Sequence, residues 1–388
     1  MKISWARRIE ELPPYLFAEI DAKKNEMIAK GVDIIDLGVG DPDLPTPEHI
    51  VRALERAANN PAYHRYPSYT GMTSFREASA RWMMKRFGVE LDPGSEVLAL
   101  IGSKEGVAHI PLAFVNPGDV VLVPDPGYPV YPVATTFAGG TPWSMPLRKE
   151  NGFLPDLSEI PEDVRRKAKL MFINYPNNPT TAIADKAFFQ DVVEFAAANN
   201  IVVCHDAAYT EITFDGLRHP SFLEVDGAME VGMELHSHSK TYNMTGWRLA
   251  FAAGNKRAIG GLGKVKTNID SGAFEAVQAA GMVALDNYEL GLEERVNIYQ
   301  KRRDIFANGL EKVGLSYYPT KACFYIWIEN PPGMSSKEFT RRLIEEAGIV
   351  VTPGNGFGEH GEGYVRITLT IATERLVEAV KRLKRLNI

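Results

Sequence analysis

The chain has 388 residues, 45% apolar and 24% charged, longer than a single core usually spans and ordinary in composition for a water-soluble enzyme. Its formal net charge of −6, with no basic block, removes the electrostatic footprint of a nucleic-acid binder. The two cysteines, Cys204 and Cys323, each lie in an apolar run and read as core residues in a reducing compartment rather than a disulfide framework.

Charges run through the first twenty residues, which lack the apolar stretch of about 7–15 residues that marks a secretory signal. No run approaches the ~20 apolar residues of a spanning helix. A cytoplasmic protein with no membrane segment is expected. Pro13-Pro14 and the loop GVGDPDLPTP (38–47) suggest that residues 1–45 form an arm and a segment joined to a smaller domain.

Across residues 46–275, apolar runs alternate with longer helical patterns. The runs are VLALIG (97–102), DVVLVPD (119–125), KLMFINY (169–175), IVVCHD (201–206), MELHSHS (233–239) and WRLAFAAG (247–254), with TPWSMPL (141–147) as a weaker seventh. Between them lie segments such as ADKAFFQDVVEFAAANN (184–200), with apolar residues at helical spacing. Near-continuous apolar strands separated by helices predict an α/β fold whose large domain holds a mostly parallel seven-stranded sheet. In residues 276–388 a charged helical stretch is followed by FYIWIE, SSKEFTRRLIEEAG, YVRITLTI and the amphipathic ERLVEAVKRLKRL, which predicts a smaller α+β domain.

Unusual polar and glycine residues follow the carboxyl ends of these runs: SKEG after IG, PGYPVY after VLVPD, PNNPT after FINY, AAYTE after VVCHD, and KTYNMTGWR after LHSHS. Open α/β sheets bind ligands in the crevice beyond the carboxyl ends of their strands, so five such clusters predict one site built by five loops. GSKEG, between a strand and a helical pattern, puts the backbone N–H groups of Ser103 and Lys104 at a helix N-terminus, which favours an anion. It is not a Walker loop, because G-x-x-x-x-G-K-[ST] is absent.

Taken in order, Tyr66 in YPSYTG, Gly102-Ser103-Lys104, Asn178-Pro179, Asp206 with Tyr209, Ser237-His238-Ser239-Lys240, Arg248 in GWR and Arg366 in YVRITL resemble the fold type I pyridoxal-phosphate enzymes, specifically the class I/II aminotransferases. The resemblance spans nearly the whole chain. It implies that Lys240 carries pyridoxal 5′-phosphate covalently and then acts as the base, and that Asp206 keeps the pyridine nitrogen protonated. Tyr209 and Asn178 would meet the phenolic oxygen, and Tyr128 would stack on the ring. Ser103, Lys104, Ser237 and Arg248 would hold the phosphate. Tyr66 would reach the phosphate of a partner subunit, which implies a homodimer with shared sites. Arg366, with Asn178 and Gly40 beside it, would clamp the α-carboxylate of an amino-acid or 2-oxo-acid substrate.

The segments LPPYLFAEIDAKKNEMIAKGVDIIDLGVGDPDLPTP, YPSYTG, GSKEGVAH and TNIDSGAF look like the LL-diaminopimelate aminotransferase branch of lysine biosynthesis, whose keto product cyclises to tetrahydrodipicolinate. A substrate with a second ammonium-carboxylate end needs further polar groups, for which Lys104, Tyr15, Asn268 and Glu105 are candidates. An aspartate, alanine or aromatic aminotransferase and a carbon–sulfur β-lyase remain as alternatives, and a cofactor-sensing regulator is remote. GGLGKVKTNID lacks the arginine that one aspartate-specific group supplies from the partner, although Lys264 or Lys266 could substitute. His205, His236 and His238 show no metal-ligand spacing, so no metal is expected, and alternation in LHSHS puts His236 and His238 on one strand face.

Overall fold

The computed structural model describes residues 3–10, 12 and 17–386, apart from the side chains of 17–19. Tyr15 lies outside them.

Among the described residues twelve strands, β1–β12, form three sheets. The largest has seven: β2 (Val97–Leu100), β3 (Val120–Asp125), β4 (Thr141–Pro146), β5 (Ala168–Ile173), β6 (Val202–Asp206), β7 (Gly232–Ser237) and β8 (Ala250–Gly254), in the order β2-β8-β7-β6-β5-β3-β4. Neighbours from β4 through β7 run parallel, and β8 runs antiparallel to both β7 and β2. All seven expected runs are strands of this one sheet.

Successive side chains on a strand face opposite ways, so a sheet covered on both faces needs apolar residues at every position. The packing follows that rule. Ala99, Leu122, Met171, Val203 and Phe251 face one core with Phe75, Trp82 and Phe189, whereas Leu98, Val121, Phe172, Cys204 and Leu235 face another with Val107, Ile110 and Leu262. Both cysteines are buried and free.

The other sheets are small. β1 (Ile35–Asp36) pairs in parallel with β10 (Ile349–Val350), and β11 (Thr352–Pro353), β12 (Tyr364–Thr368) and β9 (Tyr325–Glu329) form an antiparallel trio. They share a core with Phe306, Leu310, Phe339, Leu376 and Leu383, from the helices Leu292–Val313, Ser336–Ala347 and Thr373–Leu383. The terminal amphipathic stripe therefore faces this core, as its spacing predicts. The helix Glu275–Asp286, although past the change in sequence character, buries Ala276, Ala280 and Ala284 with the large sheet's helices.

The strand expected at MELHSHS ends early. His238–Thr241 is a helical turn, with the Ser237 hydroxyl accepting from the Ser239 N–H at 3.2 Å. His236 and His238 therefore do not share a strand face, because a serine cap competes locally with continued pairing.

One buried ion pair ties the site's edge to the helical layer. Arg86, near the end of the helix Thr73–Phe87, donates from Nε to both Glu211 oxygens at 3.0 and 3.2 Å, just beyond the Asp206–Tyr209 turn. Removing one member of such a pair strands the other charge. Arg86→Ala is expected to cost about 3–5 kcal/mol in urea unfolding of the cofactor-free protein, and Arg86→Met with Glu211→Leu far less.

Candidate active site

The carboxyl ends of β3, β5, β6 and β7 open on a cavity of about 690 Å³, within the usual range for a small-molecule site. Its wall takes Ser103, Lys104, Tyr128, Asn178, Asp206, Tyr209, Ser237, Lys240 and Arg248 from the large sheet's loops, and Gly40 and Arg366 from the smaller group. Because β8 is antiparallel to β7, its amino end lies at this same edge, which brings Arg248 there two residues ahead of Ala250.

Asp206 closes β6. Its Oδ2 accepts from the Tyr131 hydroxyl at 3.0 Å, while Oδ1 is buried without a hydrogen-bond partner among the described residues. Burial raises the carboxyl's pKa, opposed by the Tyr131 hydrogen bond and by His205 and His236 nearby. Asn174 donates from Nδ2 to the Asp206 carbonyl at 2.7 Å and accepts the Asn178 N–H at 2.9 Å, which fixes the Asn178 loop to the end of β6. Burial also pushes the Tyr209 hydroxyl's pKa well up; that hydroxyl lies 3.1 Å from the Tyr325 hydroxyl.

Lys240 is half-buried, with Nζ donating to the Gly40 carbonyl at 3.2 Å and lying 5.6 Å from the centre of the Phe324 ring. Burial lowers its pKa to about 8; Asp41 and Asp206 pull upward, Arg366 and Arg248 downward. A lysine so placed has a neutral, nucleophilic fraction near neutral pH.

Two cationic ends flank these groups. Arg248, at φ +57°, donates from Nη1 to the Thr245 carbonyl at 2.8 Å and lies against Gly102, where a Cβ would fall 2.1 Å from Nη2. Only glycine lets the guanidinium reach the start of the helix Ser103–Phe114, whose first N–H groups favour an anion. At the other end Arg366, 5% exposed, donates to the Gly38 carbonyl at 2.7 Å and to Asn178 Oδ1 at 2.8 Å. Its guanidinium carbon lies 4.2 Å from the centre of the Tyr325 ring and 4.8 Å from that of Phe357. Gly40 is needed beside it, because a Cβ there would stand 2.1 Å from the Tyr325 hydroxyl.

The other expected contacts are elsewhere. Tyr66 is 88% exposed and does not line the cavity. Asn268 is also exposed and outside it, donating to the Lys264 carbonyl at 2.8 Å. Glu105 points away, accepting the Ile101 N–H at 2.7 Å with Lys266 Nζ at 3.3 Å. Lys266, also bonded to Asp270 at 2.6 Å, is buried in that cluster and unavailable to a substrate. The sequence reading missed Asp41, Tyr131, Asn174, Thr245, Tyr325 and Phe357. Tyr131 and Asn174 sit inside motifs already singled out, whereas Tyr325 is hidden in an apolar strand run.

The model for the family described as "Aminotransferase class I and II" matches residues 32–383. A protein of Syntrophobacter fumaroxidans named LL-diaminopimelate aminotransferase is 60% identical, and one of the same name from Aquifex aeolicus 58%, each alignment covering 98% of both chains. The solved structure of substrate-bound BacF from Bacillus subtilis superposes with a TM-score of 0.95 at 40% identity, covering 100% of this chain and 98% of that one. The chain therefore belongs to the class I and II aminotransferases, with their fold type I architecture.

Proposed function

We propose that this chain uses pyridoxal 5′-phosphate to transfer the amino group of LL-diaminopimelate to 2-oxoglutarate. The unpartnered Asp206 Oδ1, buried between the two cationic ends of the cavity, carries the cofactor assignment. A buried carboxylate oxygen demands a partner, and a protonated pyridine nitrogen supplies one. The rest of the cavity fits the same group. The start of the helix Ser103–Phe114, with Ser237 and Arg248, offers anion-binding donors for the phosphate, while Tyr128 offers a ring face and Asn178 and Tyr209 offer polar groups.

When bound, the cofactor supplies an electron sink for the carbanion formed at the substrate Cα. The chain's own groups do the rest. Arg366 holds the α-carboxylate with a fork already oriented by Gly38 and Asn178. Lys240 Nζ would remove the Cα proton as a neutral amine, and the Asp206 carboxylate would hold the ring nitrogen of the bound cofactor. The name shared by the two relatives supports LL-diaminopimelate as donor, with Lys104 and Asp41 on the cavity wall as polar groups for its distal end. Exposed Tyr66, Tyr69, Ile269 and Phe274 support a homodimer in which Tyr66 serves the partner's site.

Adding LL-diaminopimelate without an acceptor is expected to convert the visible band of the yellow protein to that of the amine form of the cofactor, with the meso isomer as control; an unchanged band would remove this donor. Arg366→Lys should raise the donor KM by about 10–100-fold while cofactor affinity changes little, as steady-state kinetics and fluorescence titration will read. Cofactor uptake by the apo-protein, followed by visible absorbance, should speed up as pH rises through about 8 and level off above it, because the neutral Lys240 amine is the nucleophile.

A further inference from the structure

On the face of the large sheet opposite Asp206 lies a polar cluster that none of these steps uses. Glu234, on β7, is 0% exposed, and its carboxylate accepts four hydrogen bonds. The donors are His205 Nδ1 at 2.8 Å and the Phe222 N–H at 2.7 Å on Oε1, and the Ser221 hydroxyl at 2.6 Å and His236 Nε2 at 2.9 Å on Oε2. All its lone-pair sites are filled. Burial works against ionisation, but the histidine hydrogen bonds outweigh it and hold the carboxyl well below the usual range.

An apolar side chain of similar volume would fill this position without the desolvation cost of a charge, so what the carboxylate adds is orientation. The contacts show what is oriented. Register sets His205 of β6 beside Glu234 of β7. The other ring nitrogen of His205, Nε2, lies 2.9 Å from the Tyr175 carbonyl and 3.3 Å from its N–H. Tyr175 is the neighbour of Asn174, which bonds the Asp206 carbonyl, and lies three residues before Asn178, which accepts from Arg366 at 2.8 Å. Because Arg366 occupies Asn178 Oδ1, the Asn178 amide donor is left to face the cavity.

We propose that Glu234 is a positioning residue for the substrate clamp, acting through His205 and Tyr175 on Asn178 and, through it, on Arg366. The link runs from Glu234, on the strand that leads to Lys240, through His205 to Tyr175, along the backbone to Asn174, whose Oδ1 accepts the Asn178 N–H at 2.9 Å, and from Asn178 to the Arg366 guanidinium. His205 is the joint, since one imidazole spans β7 and the loop after β5. The inference rests on the aminotransferase reading above and adds the groups that hold its carboxylate site in register.

The test uses the full-length, cofactor-loaded protein and the variants Glu234→Gln and His205→Asn. The asparagine amide nitrogen stands close to the position of imidazole Nδ1, so His205→Asn keeps a donor for Glu234 and gives up the Tyr175 contact. Both variants should raise the donor KM about tenfold with kcat changed less than about threefold, because the lost contact serves binding. With no donor present, the pH midpoint of the bound cofactor's visible band should rise by about half a unit, because Asn178 no longer aims its donor at the phenolic oxygen. Unchanged KM and midpoint with a lowered melting temperature would mean that the cluster only stabilises the sheet, and the proposal would fall. If Glu234→Gln does not fold, His205→Asn decides alone. If the wild-type protein does not react with LL-diaminopimelate, the substrate reading fails, but the donor-free titration still decides this one.

Discussion

A carboxylate inside a protein is tolerated when its oxygens are met, and at Asp206 only one of them is. The arrangement around it follows from that constraint. Tyr131 satisfies Oδ2, Asn174 pins the backbone, and burial keeps water from Oδ1, which is what leads to the proposed cationic partner. The guanidiniums of Arg248, against Gly102, and of Arg366, bonded to Gly38 and Asn178, both line the cavity, and neither is paired with Asp206 among the described residues. Lys240 lies between these fields, and burial plus the two arginines leave its amine able to lose a proton near neutral pH. The large sheet's geometry assembles most of these charges, because the loops after β2, β6 and β7 and the amino end of β8 bring Lys104, Asp206, Lys240 and Arg248 to one edge, while Arg366 comes from β12.

Much of this could be read from the residues, because two periodicities carry it. A strand covered on both faces is mostly apolar, and six such runs, together with the weaker TPWSMPL as a partly exposed edge strand, joined one sheet. The polar clusters after them converged because they end neighbouring strands. Where the sequence reading failed, the signal was local or absent. Two-residue pairing of Ile35-Asp36 with Ile349-Val350 leaves no period to detect. Tyr325 looks like any aromatic in an apolar strand until Gly40 is seen pressed against its hydroxyl. The Glu234 cluster was half visible, since E-x-H alternation in MELHSHS puts Glu234 and His236 on one face, but only the register of β6 against β7 brings His205 to them. Tyr66 and Asn268 are a different case, because one chain does not bring them to its own cavity.

The smaller group of elements contributes few residues, but they are held firmly. Leu37 is stitched between the two small sheets, its N–H to the Val350 carbonyl at 2.8 Å and its carbonyl accepting from Thr368 at 2.8 Å. The Gly38 carbonyl takes both Arg366 and the Thr352 hydroxyl. Arg302, buried on the helix Leu292–Val313, grips Asp43 with both terminal nitrogens at 2.7 and 2.8 Å. Gly40 and Asp41 thus lie on a segment fastened at both ends, and a rigid first shell is what precise substrate placement requires.

The bond from Arg366 to Gly38 joins positions 328 residues apart. Chains are made from the amino end, so the ribosome releases Gly38 long before Arg366. Asp206, Lys240 and Arg248, the side chains proposed to meet the cofactor, all leave before the strand that carries the proposed substrate clamp. A chain cut short by a premature stop codon anywhere ahead of β12 would carry those cofactor-binding side chains with no arginine for the α-carboxylate. On the proposed assignment, the synthesis of β12 is therefore the step at which a polypeptide with a place for the cofactor also gains the group that selects an amino acid.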